Sequence, residues 1–243
     1  FKGRGYGTQV LTFPDLPFSS YFSGNTVQIC PVGALTAAPY RFKARPWDLQ
    51  SVESSCTHCP VGCRLSVEAS QNRVLRFNGV DNDATNQGWL SDKCRFGFEF
   101  ISSPERISTP LVRRDGELRE ATWSEALDLV ARRMASIIDE HGGEAVAGIG
   151  GARGTNEDAY AFGKFMRTVI GTNHLDALLD DGADPRFLAA VAPRAKIDDL
   201  DSAKVILVWA PDLKEEAGTL YLRVRRAVQE NGAKLVVVHP RRT

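Results

Sequence analysis

Cys56-Thr57-His58-Cys59-Pro60-Val61-Gly62-Cys63 sets three thiols in one short loop, and a fourth, Cys94, follows on a separate stretch of chain. Thiols this closely spaced share one centre, because a tight loop turns its sulfurs inward while a remote ligand closes the cage from another element. Three ligands from one loop plus one from afar is the habit of cubane iron-sulfur sites, whereas structural zinc favours two Cys-x2-Cys pairs on facing knuckles. Iron-sulfur is therefore the leading reading, with zinc and unligated thiols beside it. A disulfide framework fits poorly, since the five cysteines are odd in number and a chain this long builds a core without staples. The compartment is read as reducing.

Working outward, the 243 residues are 43% hydrophobic and 25% charged, a globular composition with room for one large domain or two small ones. The 30 Lys and Arg balance 30 Asp and Glu, so no global field favours nucleic acid or an anionic membrane. No apolar run approaches the roughly 18 residues of a membrane span, and the start lacks the basic-then-apolar order of a signal peptide. No nucleic-acid partner and no direct membrane insertion are expected. The chain opens at Phe1, and it stops at Pro240-Arg241-Arg242-Thr243 directly after an apolar strand pattern. Both ends are expected to be cut.

Residues 1–40 are rich in Gly, Pro and aromatics without periodicity and end at Cys30-Pro31-Val32-Gly33-Ala34-Leu35, where Pro stiffens the exit from a thiolate and Gly permits a close turn. Residues 41–50 read as a basic linker. Residues 51–103 carry the four-Cys set among short alternating runs such as Arg73-Val74-Leu75-Arg76-Phe77, a small β-rich unit. From 104 the pattern changes. Thr122-Trp123-Ser124-Glu125 is a capping box ahead of Leu127, Val130, Met134 and Ile137/Ile138 at helical spacing, with a stop at Gly142-Gly143. The run Ala145 to Ile149 leads to a second helix from Thr155 carrying Tyr160, Phe162, Phe165, Met166 and Val169. Val205 to Ala210, a helix through Leu220, Leu222, Val224 and Ala227, and Lys234 to Val238 repeat the theme. Unalternating strands between helices predict an α/β fold, a parallel sheet covered on both faces. Gly148 to Gly154 reads as a plain strand-to-helix turn rather than a phosphate loop, and Arg223, Arg225 and Arg226 as a solvated helix face.

Three pieces occur in order: Tyr21-Phe22-Ser23-Gly24-Asn25 running into Cys30-Pro31-Val32-Gly33-Ala34-Leu35, then the four-Cys set, then Trp123-Ser124-Glu125-Ala126-Leu127 leading to Thr155-Asn156-Glu157-Asp158. Together they resemble the large iron-sulfur subunits of bacterial NADH:quinone oxidoreductase (respiratory complex I), within the molybdopterin oxidoreductase superfamily. The resemblance covers essentially the whole chain and an internal part of such a subunit. It implies a ferredoxin-like remnant at 1–40, a [4Fe-4S] domain at 51–103 and, over 104–243, the start of a molybdopterin-oxidoreductase-like α/β domain with a parallel sheet. Cys30 then becomes the last ligand of a [4Fe-4S] cluster whose other ligands lie earlier in such subunits. A second cluster falls to Cys56, Cys59, Cys63 and Cys94.

The family places its fourth ligand in a Cys-x-Lys-Gly-Arg stretch, and here Ser91-Asp92-Lys93-Cys94-Arg95 puts Ser at the ligand position and Cys where Gly is usual. Cys94 is expected to compensate. Lys93 matches a lysine that in molybdopterin relatives lies between cluster and pterin, and His58 reads as a surface residue or a neighbour of the ligands. The resemblance implies electron transfer from NADH and flavin toward quinone, with no substrate site of the chain's own. Its partners are the flavin-bearing and quinone-side subunits, and it is cytoplasmic, on the inner face of the membrane through the complex. The rival is a molybdopterin-dependent, NAD-linked formate dehydrogenase α subunit. Such an enzyme needs a thiolate or selenolate shortly after Gly171-Thr172-Asn173-His174-Leu175-Asp176, and here only Asp180 and Asp181 could stand in for it. Molybdopterin is accordingly not expected.

Overall fold

The structure, a computed structural model, describes residues 1–9, 11, 12, 15, 16, 18–151, 154–177, 184, 186, 190, 195–209 and 211–241. By its internal contacts the chain divides into two units, one of Phe1–Pro104 with Ala195–Thr243 and one of Glu105–Arg194.

In the first unit, α1 (Ser23–Ile29) delivers Cys30 at its C-terminal cap. A three-stranded antiparallel sheet follows, β1 (Gln50–Ser55), β2 (Arg64–Ser70) and β3 (Arg73–Gly79), with Val52 opposite Val67 and Val67 opposite Phe77. Gln71 and Asn72 both take positive φ, 51° and 60°, the two-residue hairpin geometry that matches strand twist. Alternation puts Leu65, Leu75 and Phe77 inward, while Glu68 on the other face pairs with Arg76. Helix α2 (Asp92–Phe96) carries Cys94 and is capped by Ser91, whose hydroxyl accepts from the Cys94 N–H at 3.4 Å. Buried Asn86 pins the intervening loop to β2, accepting from the Arg64 N–H at 2.9 Å and donating to Arg64, Val80 and Trp89 carbonyls.

The second unit starts with a hairpin of β4 (Leu111–Arg114) and β5 (Glu117–Glu120). Helix α3 (Trp123–His141) opens with the expected capping box, Thr122 N–H donating to Glu125 at 2.9 Å and Glu125 N–H to Thr122 Oγ1 at 3.3 Å, and stops at Gly142 with φ 80°. The short β6 (Gly148–Ile149) pairs in parallel with β7 (Leu175–Asp176), joined by α4 (Asn156–Phe165) and a π turn at Met166–Ile170. The inward side of this helix differs from expectation. Met166 and Ile170 are buried and a Cβ at Gly148 would lie 2.7 Å from Phe162 Cζ, whereas Tyr160, Phe165 and Val169 are exposed. The turn from Gly148 to Gly154 lies partly outside the described residues.

Returning to the first unit, β8 (Val205–Trp209), α5 (Leu213–Glu216), α6 (Gly218–Gln229) and β9 (Lys234–Val238) form a parallel pair with Val205 opposite Lys234 and Trp209 opposite Val238. Val224 and Ala227 of α6 cover Ile206 and Ala233. The expected burial of both faces is not met: among the described residues Val205, Leu207 and Trp209 are exposed, so one face of β8 is covered. Residues 195–241 group with 1–104 rather than with the rest of the expected domain from 104, because the start of α6 packs into the cysteine region. Arg223 corrects the expectation of a solvated face. It is 3% exposed, donating to Asp201 at 2.6 Å, to the Thr85 carbonyl at 3.3 Å and to the Asp83 carbonyl.

Candidate metal centre

The hydrophobic core of the first unit is built around sulfur. Cys56, Cys63 and Cys94 pack with Val61, Leu65, Phe77, Leu90, Phe98 and Ala217, and Cys59 flanks them. The loop closes at its neck where the Cys56 N–H donates to the Cys63 carbonyl at 2.8 Å. Within it the His58 N–H donates to Cys56 Sγ at 3.5 Å and the Val61 N–H to Cys59, so the backbone already supplies donors for anionic sulfur. The expected four thiols therefore come together, and α2 brings the remote one.

Cys94 is the hub. Its thiol donates to Cys56 and accepts from Cys59, and the Ser91 hydroxyl also reaches it. The Cys94 hydrogen bond holds Cys56 below the ordinary thiol range. The bond with Cys94 raises Cys59, with burial adding to the rise and the Val61 N–H opposing it. Cys94 is raised, first by its bond to Cys56. Burial pushes Cys63 up to about 11, opposed by a hydrogen bond from Thr219, whose Oγ1 lies 3.2 Å from Cys63 Sγ. Three buried thiols with a half-buried fourth against them cannot all ionise without a cation among them.

The donor set discriminates among cations. A single zinc ion would draw four sulfurs to about 2.3 Å from one atom. A cubane gives each sulfur its own iron, so its ligands need only face one another across a cluster. All-thiol donors in an apolar pocket with N–H and O–H groups aimed at sulfur suit that group. His58 stands beside the set: Nδ1 lies 3.7 Å from Cys56 Sγ, its ring meets Phe77 and Phe100 edge-on, and buried Nε2 has no hydrogen-bond partner. Ser91 sits at the cap beneath Cys94, and Lys93 turns away, its Nζ donating to the Glu215 carbonyl at 3.3 Å.

Cys30 stands in a different setting. The turn after it wraps its sulfur with N–H donors, Leu35 and Val32 first and Ala34 and Gly33 after them, and these hold the thiol below its ordinary value. The turn borders an open cavity of about 1020 Å³ that also meets Tyr40, Phe77 and Arg95. Asp180 and Asp181 lie outside the described residues. His174, for which the sequence offers no partner, meets Glu144 at 2.8 Å.

Sequence reasoning missed two groups at the site. Thr219 reaches Cys63 from α6, and Arg95, 4% exposed, threads between α1 and β3, donating to Asn25 Oδ1 at 2.7 Å and to the Phe77 carbonyl at 3.2 Å. The run of small residues Ala217-Gly218-Thr219 before a helix was the one available signal for the first.

Comparison with known proteins places family models along the chain. Residues 106–243 match the family model for molybdopterin oxidoreductase, residues 49–103 that for the molybdopterin oxidoreductase Fe4S4 domain, and residues 1–36 that for the NADH-quinone oxidoreductase subunit 3 ferredoxin-like domain. An NADH-quinone oxidoreductase subunit of Streptomyces coelicolor is 39% identical over 96% of this chain and 29% of its own length. NADH-quinone oxidoreductase subunit 3 of Thermus thermophilus is 34% identical over 95% of this chain and 28% of its own length. The NADPH-Fe(3+) oxidoreductase subunit alpha of Geobacter sulfurreducens is 36% identical, covering 96% of this chain and 28% of its length. The chain thus spans less than a third of the length of these relatives. Among solved structures, acetylene hydratase from Pelobacter acetylenicus superposes with TM-score 0.57 at 14% identity, covering 79% of this chain and 27% of that one, a likeness of fold.

Proposed function

The chain belongs to the molybdopterin oxidoreductase family, and from that premise we propose that it serves as an iron-sulfur electron relay of an NADH:quinone oxidoreductase, with no substrate site of its own. The meeting of Cys94 with both Cys56 and Cys59 inside the core carries this reading. A [4Fe-4S] cluster supplies one-electron storage and release when bound. Cys56, Cys59, Cys63 and Cys94 would hold it, with Cys94 in place of the usual ligand at Ser91. The N–H groups of His58 and Val61 orient sulfurs, and Leu65, Leu90 and Phe98 exclude water. Cys30, with its ring of N–H donors, is a ligand to a second cluster completed by residues outside this chain.

The names of the relatives support NADH as donor and quinone as acceptor and other subunits of such a complex as partners; flavin-bearing and quinone-side subunits are the partners that the resemblance implies. No helix among the described residues is long and apolar enough to cross a membrane. The chain would therefore reach the inner face of the membrane through its partners. Molybdopterin has no role in this scheme.

Anaerobic reconstitution with iron and sulfide should load about four irons at the four-Cys site. Cys59→Ala should abolish uptake, Cys94→Ala should bleach the centre or leave a three-iron form, and Ser91→Ala should be tolerated. Stoichiometric zinc without iron-sulfur absorption would replace the relay with a structural site. Molybdenum in the purified protein, or formate oxidation lost on Asp180→Ala or Asp181→Ala, would replace it with a pterin enzyme.

A further inference from the structure

The cysteine core is closed on one side by the start of α6. Ala217 is buried among Cys56, Cys63 and Cys94, and a Cβ on Gly218 would stand 3.0 Å from Ser91 Cβ, so this segment packs tightly on the cap of the helix that carries Cys94. Thr219, 4% exposed, then places Oγ1 3.2 Å from Cys63 Sγ, and that sulfur belongs to a residue with no exposed surface. A buried hydroxyl without a partner is costly, and this one is satisfied by sulfur.

Resting on the relay reading above, we propose that Thr219 is a positioning residue of the metal centre, its hydroxyl donating to Cys63 Sγ and holding the midpoint potential above the value an apolar side chain would leave. A ligating cysteine carries no proton, so its sulfur can only accept, and the hydroxyl must turn its hydrogen toward it. The electron that reduces the centre adds negative charge that spreads onto the ligand sulfurs. A fixed donor therefore stabilises the reduced form more than the oxidised form, and the potential rises. Cys63 has no exposed surface and Thr219 is 4% exposed on a helix, so solvent is not positioned to replace the bond once the hydroxyl is removed.

The test uses the full-length subunit in its assembled complex, purified anaerobically, with Thr219→Val and Thr219→Ser. Two quantities are read: iron per chain, and the midpoint potential of the centre that disappears in Cys59→Ala. Thr219→Val should keep its iron and move the midpoint to a more negative potential, and Thr219→Ser should restore it. A valine variant with full iron and an unmoved midpoint overturns the proposal while leaving the relay reading intact. A wild-type chain without iron at this site overturns both, and the iron count tells the two apart. If the valine variant loses iron, a second measurement decides. The reduced centre should show a hyperfine coupling to an exchangeable proton that is present in wild type and Thr219→Ser and missing in Thr219→Ala; its persistence in the alanine variant overturns the assignment.

Discussion

Asn25 and Leu90 exchange two hydrogen bonds, the Asn25 amide donating to the Leu90 carbonyl at 2.7 Å and the Leu90 N–H to Asn25 Oδ1 at 3.0 Å. The same oxygen accepts from Arg95 at 2.7 Å. Asp92 completes the brace from α2, accepting from the Gly24 N–H at 2.8 Å and from Ser23, while Gln28 exchanges a similar pair with Gly79. The helix that ends at Cys30 is thereby bolted to the one that carries Cys94. Spacing between the Cys30 turn and the Cys94 helix is set by polar side chains rather than by apolar packing alone.

Asn25→Leu keeps the branched shape but leaves the Leu90 N–H and carbonyl, and the Arg95 N–H that Asn25 accepts, without this partner in a buried place. The cost should be about 2–3 kcal/mol, following the penalty for unmade buried hydrogen bonds. Urea unfolding should show a lower midpoint at unchanged slope. A change within about 0.5 kcal/mol would mean that water replaces the amide.

Gly24→Ala tests the closeness of the same brace. A Cβ there would fall 2.4 Å from Arg95 Cδ and 2.8 Å from Asp92 Oδ1, so both side chains must move. A loss of about 1–3 kcal/mol is expected from overpacking. Gly7→Ala, with nothing within 4 Å of the added carbon, serves as the control and should be close to neutral.

Metal removal should act as a folding perturbation. Cys56, Cys63 and Cys94 are members of the core rather than its rim, and thiols deprived of iron must reprotonate or repel. Chelation under reducing conditions should therefore lower hydrogen-exchange protection in β2 and β3. Unchanged protection in those strands would show that protonated thiols hold the core by themselves.

Glu125 gives the pH dependence of α3. Its carboxylate accepts from the Thr122 N–H and hydroxyl and pairs with Arg114, and these hold it below the ordinary carboxylate value. A depressed value in the folded state means that the capping contribution is fully present above the unfolded pKa of about 4.3 and is lost as pH falls through the folded one. Carbon NMR titration of Glu125 should show the depressed midpoint, and Arg114→Ala should move it upward; a midpoint at the ordinary value would remove the cap from the account of this helix.

Much of this was legible locally. The thiol loop, the Thr122–Glu125 box and the apolar runs at 205–209 and 234–238 are short-range patterns, and short-range physics reads them correctly. Arg223 was misread because its partners Asp83, Thr85 and Asp201 belong to other elements, so nothing near it in sequence marks it as buried. Thr219 and Asn25 were missed for the same reason: threonine and asparagine become informative only through what the fold sets opposite them. The inward side of α4 escaped because apolar residues stand on more than one of its faces, so periodicity alone does not say which of Tyr160, Phe162, Phe165 and Met166 turns inward.

The closure of the sulfur pocket by Ala217, Gly218 and Thr219 also has a chronology. Thr219 is made 156 residues after Cys63, so during synthesis the loop thiols emerge well before the segment that seals them. Iron and sulfide have an open door in that interval, and afterwards a shut one, since Cys63 retains no exposed surface. A cluster loaded into the finished protein, as in the reconstitution above, would have to pass α6, so uptake should quicken under conditions that loosen the docking of that helix.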